Sequence, residues 1–593
     1  MSSVSIYTPL SNPDTIRILE IGLLHPGNHQ LSGRLTTESL HDQPDYVALS
    51  YVWGAPSPTD PWIDIDGHPF RVRESLFQAI KVLVSDTKIR IWIDQICINQ
   101  SDNTEKEHQV QLMSKIYSQA RLVIGWLGVE ADDSSFVMAS FRSSARKNAA
   151  EYPEWNRPRE INRFLEMANP RKRRGRACIS LVRRPWFHRL WIVQELALAR
   201  HLELRCGKSS ISAEIFFSII QTLSFAVVEP LLSSIRHAYE PVHKLGWLRT
   251  QASYKSCESF PHLLQRFCTW GCEKPQDRLN GLFGVAFCDD PVAAWFKPTY
   301  YMSAPDLFTR FAMEHIHTTR GLEILHFAGC EDSILSFEPV ENKVLPVCTT
   351  IPGGDVPSWA PDWRLRGRPL PLLTNTQDYI TVNFSATASV SKFSLDAVSQ
   401  TLHVRDIGVD RVKATCPPYH PSLEKLAGAV DNLILSWLKI SESHIESTVV
   451  RPMFSQTLTM DFKVDAPWRL KEHFDPVATL ADFERHNKGD YEVYPGNDED
   501  DWKETIDGVT GFRYTAEELC RHRLLFITEA GRLGLGGPQV EEGDSIYLIH
   551  GLKTPFVVNY RSQRHLLRGE CYVHGLMDGK VQWSDQDTML HLS

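Results

Sequence analysis

The sequence predicts an α/β protein: a mainly parallel sheet with flanking helices, then a helical middle segment, then a β-rich C-terminal domain. Three observations carry this expectation. Short unbroken apolar runs alternate with amphipathic stretches over the first two hundred residues, which is the signature of strands buried on both faces by crossover helices. Between about 211 and 330 the helical period dominates, and beyond 331 Pro, Gly and β-branched residues take over. A chain of 593 residues also exceeds what one hydrophobic core supports, since cores stop growing near roughly 250–300 residues. The expected division is 1–210 (core 46–200), 211–330 and 331–593.

Taken in order, residues 46–52 form a continuous apolar run and read as the first buried strand. Residues 62–72 read as a hairpin about Asp66-Gly67. A helix follows with Leu76, Ile80, Leu83 and Val84 on one face, then a second buried strand at 89–93. Thr104 and Glu107 have the spacing of a capping box for a helix running to about Ala120. Residues 122–127 are the third strand, followed by a polar insertion at 131–159. Pro185 marks the start of a helix to about Ala199, and 201–206 reads as a further strand. Near the end, 545–549, 556–558 and 571–573 read as strands, and the acidic stretch 482–504 as a surface loop.

Composition narrows the function. With 63 Lys and Arg against 72 Asp and Glu, the net charge of −9 argues against general affinity for a nucleic-acid backbone. The one basic run, Arg171-Lys172-Arg173-Arg174-Gly175-Arg176, reads as a solvated loop, with nuclear targeting or anion binding as the other readings. There is no signal peptide pattern and no membrane span. The nearest approach, 215–228, is interrupted by Ser218, Gln221, Thr222 and Ser224 and reads as a buried helix. Scattered cysteines point to a reducing, cytoplasmic setting. Cys268 and Cys272 lack a second pair at zinc spacing, so no metal site is expected.

Several blocks resemble a known family. Ala48-Leu49-Ser50-Tyr51-Val52-Trp53-Gly54, Trp92-Ile93-Asp94-Gln95-Ile96-Cys97-Ile98-Asn99-Gln100, Trp126-Leu127-Gly128 and the run from Arg184-Pro185-Trp186 to Gln194-Glu195 resemble the ordered signatures of heterokaryon incompatibility (HET) domains. Asp277-Arg278-Leu279-Asn280-Gly281-Leu282-Phe283-Gly284, Pro357-Ser358-Trp359-Ala360-Pro361-Asp362-Trp363 and Tyr572-Val573-His574-Gly575 resemble blocks found downstream in that family. The resemblance implies a stand-alone fungal factor of non-self recognition that triggers programmed cell death, acting with a protein partner or by self-association. HET domains are in turn similar to TIR domains, which implies a TIR/flavodoxin-like sheet. Some TIR domains hydrolyse NAD, which makes NAD a candidate substrate here rather than a bound cofactor.

Ligands of open parallel sheets bind beyond the carboxyl ends of the strands. Those ends carry Ser50, Tyr51, Trp53 and Gly54 after the first strand, and Asp94, Cys97 and Asn99 after the second. For Trp53, Trp92 and Trp126, core filling between sheet and helices is the preferred reading. For Asp94 and Asn99, ligand binding and loop capping both stay open. Glu195 stands out because Phe187, Trp191, Glu195 and Leu198 share a helical stripe, and a carboxylate on an apolar stripe is costly unless paired, ligated or protonated. Trp191-x-x-x-Glu195 resembles the tryptophan–glutamate pattern of NAD-cleaving TIR domains, which makes Glu195 the candidate catalytic residue with Trp191 beside it. A structural ion pair with Arg189 or Arg205 is the competing explanation. A non-catalytic adaptor role for the whole domain is the alternative function.

Overall fold

The apolar runs expected as buried strands lie side by side at the centre of one sheet. Strands β1 (Thr15–His25), β2 (Asn28–Ser39), β3 (Val47–Ser50), β4 (Trp62–Ile65), β5 (His68–Arg71), β6 (Ile89–Trp92), β7 (Leu122–Trp126), β8 (Leu202–Cys206) and β9 (Ser209–Ser212) pair in the order β5-β4-β2-β1-β6-β3-β7-β8-β9. Strand β3 runs parallel to β6 and β7, and β7 runs parallel to β8. Numbered among themselves, the four parallel strands stand second, first, third, fourth, so the winding reverses between β3 and β7. Such a switch point opens a crevice at the carboxyl ends of its strands.

This is a computed structural model that describes residues 6–593 except 11, 26–27, 85–87, 149–171, 227–232, 255–258, 286–291, 330–333, 341–342, 350–354, 366–371, 373–383, 388–391, 421–422, 424–427, 461–475, 488–507 and 582–587. The chain divides into two units, Met1–Tyr301 and Met302–Ser593. Most of the segment expected as a separate helical middle thus belongs with the N-terminal sheet. Among the described residues, no helix is long and apolar enough to cross a membrane.

The first unit is parallel at its centre; outside that, its pairings are antiparallel except for β2 with β4, which is parallel. The β4–β5 hairpin turns on Asp66 and Gly67, both at positive φ (52° and 79°), the geometry for which an Asp-Gly pair is selected. Strands β1 and β2 lie outside the sequence expectation, because Arg17 and Glu20 interrupt the apolar run. Arg17 is nonetheless buried in β1, since Glu105 receives its guanidinium with both oxygens at 2.6 and 2.9 Å.

Helices α1 (Glu74–Leu83), α2 (Asp94–Cys97), α3 (Asn103–Gln119), α4 (Ser134–Asn148), α5 (Arg173–Val182), α6 (Ile192–Leu198), α7 (Ala213–Ala226), α8 (Ser233–Tyr254), α9 (Phe260–Arg266) and α10 (Asp277–Phe283), with a single helical turn at Val292–Trp295, belong to this unit. The expected buried helix at 215–228 is α7, with Phe216, Ile220 and Leu223 fully buried. Three expectations need correction. Helix α3 is capped by Asp102, whose carboxylate accepts from Thr104 N and Glu105 N, and not by a Thr104–Glu107 box. The insertion after 131 contains α4, which buries Val137, Met138 and Phe141. The basic run is not a loop where described: Arg173 and Arg174 open α5, whose Ala177, Cys178, Leu181 and Val182 are buried, while Arg173 pairs with Asp133.

The second unit contains helices α11 (Ala304–Thr319), α12 (Ala429–His444), α13 (Ser447–Leu458), α14 (Pro476–Asn487) and α15 (Gly508–Cys520) beside its strands. The acidic loop expected from 482 therefore begins as the end of α14, and most of its remainder lies outside the described residues. A separate hairpin, β10 (Ile334–Val340) and β11 (Lys343–Thr349), precedes the main sheet. That sheet comprises β12 (Phe393–Asp396), β13 (Thr401–Thr415), β14 (Leu524–Thr528), β15 (Leu533–Gly536), β16 (Ser545–Ile549), β17 (Phe556–Arg561), β18 (Arg564–Glu570), β19 (Tyr572–Val573) and β20 (Thr588–Leu592). Its pairings β16–β17–β18–β20–β13–β16 return to their start, so five strands close a barrel. Closure needs a strand that bends, and β13 shifts register at Gly408/Asp410 and again at Val412/Ala414, where it leaves β16 for β14.

Candidate functional site

The carboxyl ends of β3 and β6 carry the groups that meet Glu195. At the end of β3, Ser50 is buried, and its Oγ accepts from Trp186 Nε1 at 2.9 Å. Tyr51 follows, fully buried, donating its hydroxyl to Gln95 Oε1 at 3.1 Å. Trp53 is half-buried and donates its indole N–H to both Asp94 oxygens, at 3.1 and 2.9 Å. That corrects the simpler reading of Trp53 as core, although Trp92 and Trp126 are core indeed. Asp94 begins α2, directly after β6, and turns its carboxylate toward Arg189 Nη2 at 3.6 Å. Arg189 Nη1 also donates to the Tyr51 carbonyl.

Glu195 lies in α6, one turn after Trp191, whose carbonyl accepts the Glu195 N–H at 3.3 Å. The helix expected from Pro185 is broken: a 3-10 turn at Pro185–His188 is followed by α6 only from Ile192. Phe187 and Glu195 therefore do not share one continuous helical stripe, and the carboxylate is buried instead by packing of α6 against α3, α8 and β7. Glu195 is 1% exposed, and no hydrogen bond of good geometry reaches either carboxylate oxygen, although the Ser50 and Tyr117 hydroxyls lie close enough to act on it. Burial pushes its pKa up to about 7, opposed by the nearby Arg189 guanidinium and the Ser50 and Tyr117 hydroxyls, with the Asp94 charge adding to the rise. Tyr117, from α3, is fully buried with its hydroxyl on the Leu49 carbonyl at 3.2 Å and Trp92 edge-on to its ring. For Arg189, burial is outweighed by the charges of Glu195 and Asp94, so the guanidinium is held more firmly protonated than usual.

This arrangement decides between the two partners suggested for Glu195. Arg205 is engaged elsewhere, by Glu203 at 2.5 Å. Arg189 is close enough to act through its charge, yet its ion pair within 4 Å is with Asp94.

The remaining candidates are placed apart. Cys97 is fully buried with its sulfur on the Ile93 N–H at 3.3 Å, and burial pushes its thiol up to about 12, which leaves no thiolate near neutrality. Asn99 caps its own loop, accepting from Ser101 N at 3.2 Å and Ser101 Oγ at 2.7 Å. Gly54 is exposed at positive φ in the loop after β3. Trp191 is half-buried and faces Asp277 rather than Glu195's neighbours on β3. Sequence reasoning did not assign site roles to Gln95, Tyr117 and Trp186, and gave Arg189 only as an ion-pair partner. The signal for Arg189 was its position inside the aromatic block Trp186 to Trp191.

An α/β domain with a buried carboxylate near the carboxyl ends of its central parallel strands, joined to a unit built round a β-barrel, defines the class. Residues 46–195 match the family model described as heterokaryon incompatibility protein (HET), and residues 472–592 match the Het-6 beta-barrel domain. The chain thus contains a segment matching the heterokaryon incompatibility (HET) domain and another matching the Het-6 barrel domain. It is similar to heterokaryon incompatibility protein 6, OR allele, of Neurospora crassa, at 25% identity, covering 96% of this chain and 95% of that protein. No solved structure matches the chain.

Proposed function

We propose that this chain is a fungal heterokaryon incompatibility factor acting in the cytoplasm, which couples recognition of non-self to regulated cell death. Its HET domain works as a TIR-like NAD glycohydrolase with Glu195 as the acting carboxylate. One observation carries the chemical part: a carboxylate that no hydrogen bond of good geometry reaches, buried where the winding of the parallel sheet reverses, beside Ser50, Asp94 and Arg189. An ordinary core does not retain such a group, because an unpaired buried charge costs several kcal/mol. The flavodoxin-like order of the central strands supports the TIR likeness.

In the proposed reaction the bond between nicotinamide and its ribose breaks, and nicotinamide leaves as a neutral base with the bonding electron pair. The positive charge passes to the ribose ring, where ionised Glu195 stabilises it. Water then adds at the anomeric carbon and releases a proton, leaving ADP-ribose. The test is nicotinamide release from NAD by the purified chain at several protein concentrations, with Glu195→Gln as control. Release that disappears in a folded Glu195→Gln variant is the expected result, and loss of two or more orders of magnitude in rate is the scale for such a group.

A second reading has its own observation. Glu195 is 1% exposed, so substrate reaches it only after the crevice opens. A domain that stays closed signals through its surfaces, by self-association or by a protein partner. No nicotinamide release at any concentration, with killing intact in Glu195→Gln, favours that adaptor role.

A further inference from the structure

Helix α6 spans only Ile192–Leu198, too short to hold its own geometry in water, so its position depends on tertiary packing. Besides α3 and β7, several of the residues that grip it lie beyond the matched HET segment. Gln194 is buried and accepts the Gly284 N–H on its Oε1 at 3.1 Å, across 90 residues of sequence. A Cβ at position 284 would collide with that same oxygen and stand 3.0 Å from Ser114 of α3, so the contact requires glycine. At the other end of α10, Asp277 accepts the Tyr300 hydroxyl at 2.6 Å, and the Trp191 indole also lies against its carboxyl. Gly281 lies between these grips, its Cβ position 3.5 Å from the Trp191 ring. Just before α6, Leu190 N–H donates to the Gly271 carbonyl at 2.9 Å and Gly271 N–H to the His188 carbonyl at 2.7 Å. The same segment is tied to α3, through Tyr300 N–H to Glu107 at 2.9 Å and Gln111 to the Pro298 carbonyl at 3.1 Å.

We propose that residues 271–285 and 298–300 form a brace that positions the Glu195 carboxylate, with the Gln194–Gly284 contact as its direct grip and Asp277–Trp191 as its second. The inference rests on reading Glu195 as the acting group. An unpaired buried carboxylate gains free energy by reaching water, so something has to oppose that drift. Gln194 and Glu195 are adjacent on α6, and a roll of the helix that frees one carries the other with it. The groups facing Glu195 come from separate elements: Ser50 and Tyr51 after β3, Asp94 on α2, Tyr117 on α3 and Arg189 before α6. Only a helix held in register keeps its carboxylate among all of them. Gln194 and Gly284 are thus positioning residues.

The test uses the full chain carrying Gln194→Met, which keeps side-chain length and deletes the acceptor, and separately Gly284→Ala. The primary readout is the infrared band of a protonated carboxyl, identified as Glu195 by its loss in Glu195→Gln. Loosening α6 lets water reach the carboxylate, so the titration midpoint of that band should fall by about one pH unit or more, tenfold in proton affinity. Melting should stay cooperative, and kcat for nicotinamide release should drop at least about tenfold with little change in KM. An unchanged midpoint in a folded Gln194→Met variant overturns the proposal. Loss of cooperative melting in both variants also overturns it, since the contact then serves folding alone. If wild-type protein shows the band but releases no nicotinamide, the hydrolase reading fails, and the band alone decides the brace.

Discussion

Glu195 titrates in a range where the sign of its effect on stability can be stated. Its pKa rises from an ordinary 4.5 to about 7 in the folded chain, so between those values the folded state holds a proton that the unfolded state has released. The stability linked to this proton is fully present below pH about 4.5 and is lost as pH rises through 7, a swing of ~3 kcal/mol at most. Glu195→Gln keeps the shape and removes the titration. The variant should therefore gain on wild type in melting temperature as pH goes from 5 to 8, and match or exceed it at pH 8. A uniform loss of roughly 3–5 kcal/mol at every pH would mean instead that Arg189 needs this carboxylate as a structural partner. The geometry argues against that outcome, because Arg189 retains Asp94 at 3.6 Å and the Tyr51 carbonyl. If the carboxylate form also serves the reaction, nicotinamide release should rise along an acid limb centred near pH 7.

At the level of elements, what was legible in the sequence was what depends on near neighbours. Strands β3, β6 and β7 showed as apolar runs, β8 as an alternation of apolar and charged residues, and the β4–β5 turn in Asp66-Gly67. Strands β1 and β2 were hidden because the charge on Arg17 is cancelled by Glu105, 88 residues away. Helix α5 was hidden behind its opening arginines. Within the site, the ends of β3 and β6 could be read from strand position, and Glu195 from its motif. The roles of Gln95, Tyr117 and Trp186 could not, since they arise only when α2, α3 and the 3-10 turn converge. The same limit applies to the boundary placed near 210. Residues 213–301 supply α7, α8, α9 and α10, and α6 packs on α8 and α10. A fragment of residues 1–301 should therefore melt cooperatively, whereas 1–210 should expose the covered face of α6 and aggregate. Differential scanning calorimetry and size exclusion on the two fragments test this, and a cooperative, monodisperse 1–210 would restore the shorter boundary.

Across the whole molecule, Glu195 differs from other buried carboxylates, such as Asp60 and Asp277 of its own unit, which have polar partners. In the second unit Glu570 is satisfied by His326 Nδ1 at 2.6 Å, Thr554 Oγ1 at 3.1 Å and the Leu372 N–H, and Asp544 accepts from Glu541 N at 2.9 Å and Asn559 Nδ2 at 2.5 Å. Asp406 likewise holds Thr588 Oγ1 at 3.1 and 3.2 Å. These acids fasten strands and leave no oxygen free for chemistry, in contrast to Glu195. Under the proposed function the barrel would serve recognition, its closed strands presenting side chains rather than unpaired edges. If chemistry and recognition are divided in this way, residues 1–301 expressed alone should still kill cells, because everything that surrounds Glu195 is within them. Residues 302–593 should be harmless alone, and co-expressed in excess should blunt killing by the full chain through competition for its partner. Colony growth after induction measures both effects, with circular dichroism to establish that each fragment is folded. A folded 1–301 that no longer kills would place an essential part of the effector in the second unit, and the division would have to be abandoned even if Glu195 proves catalytic.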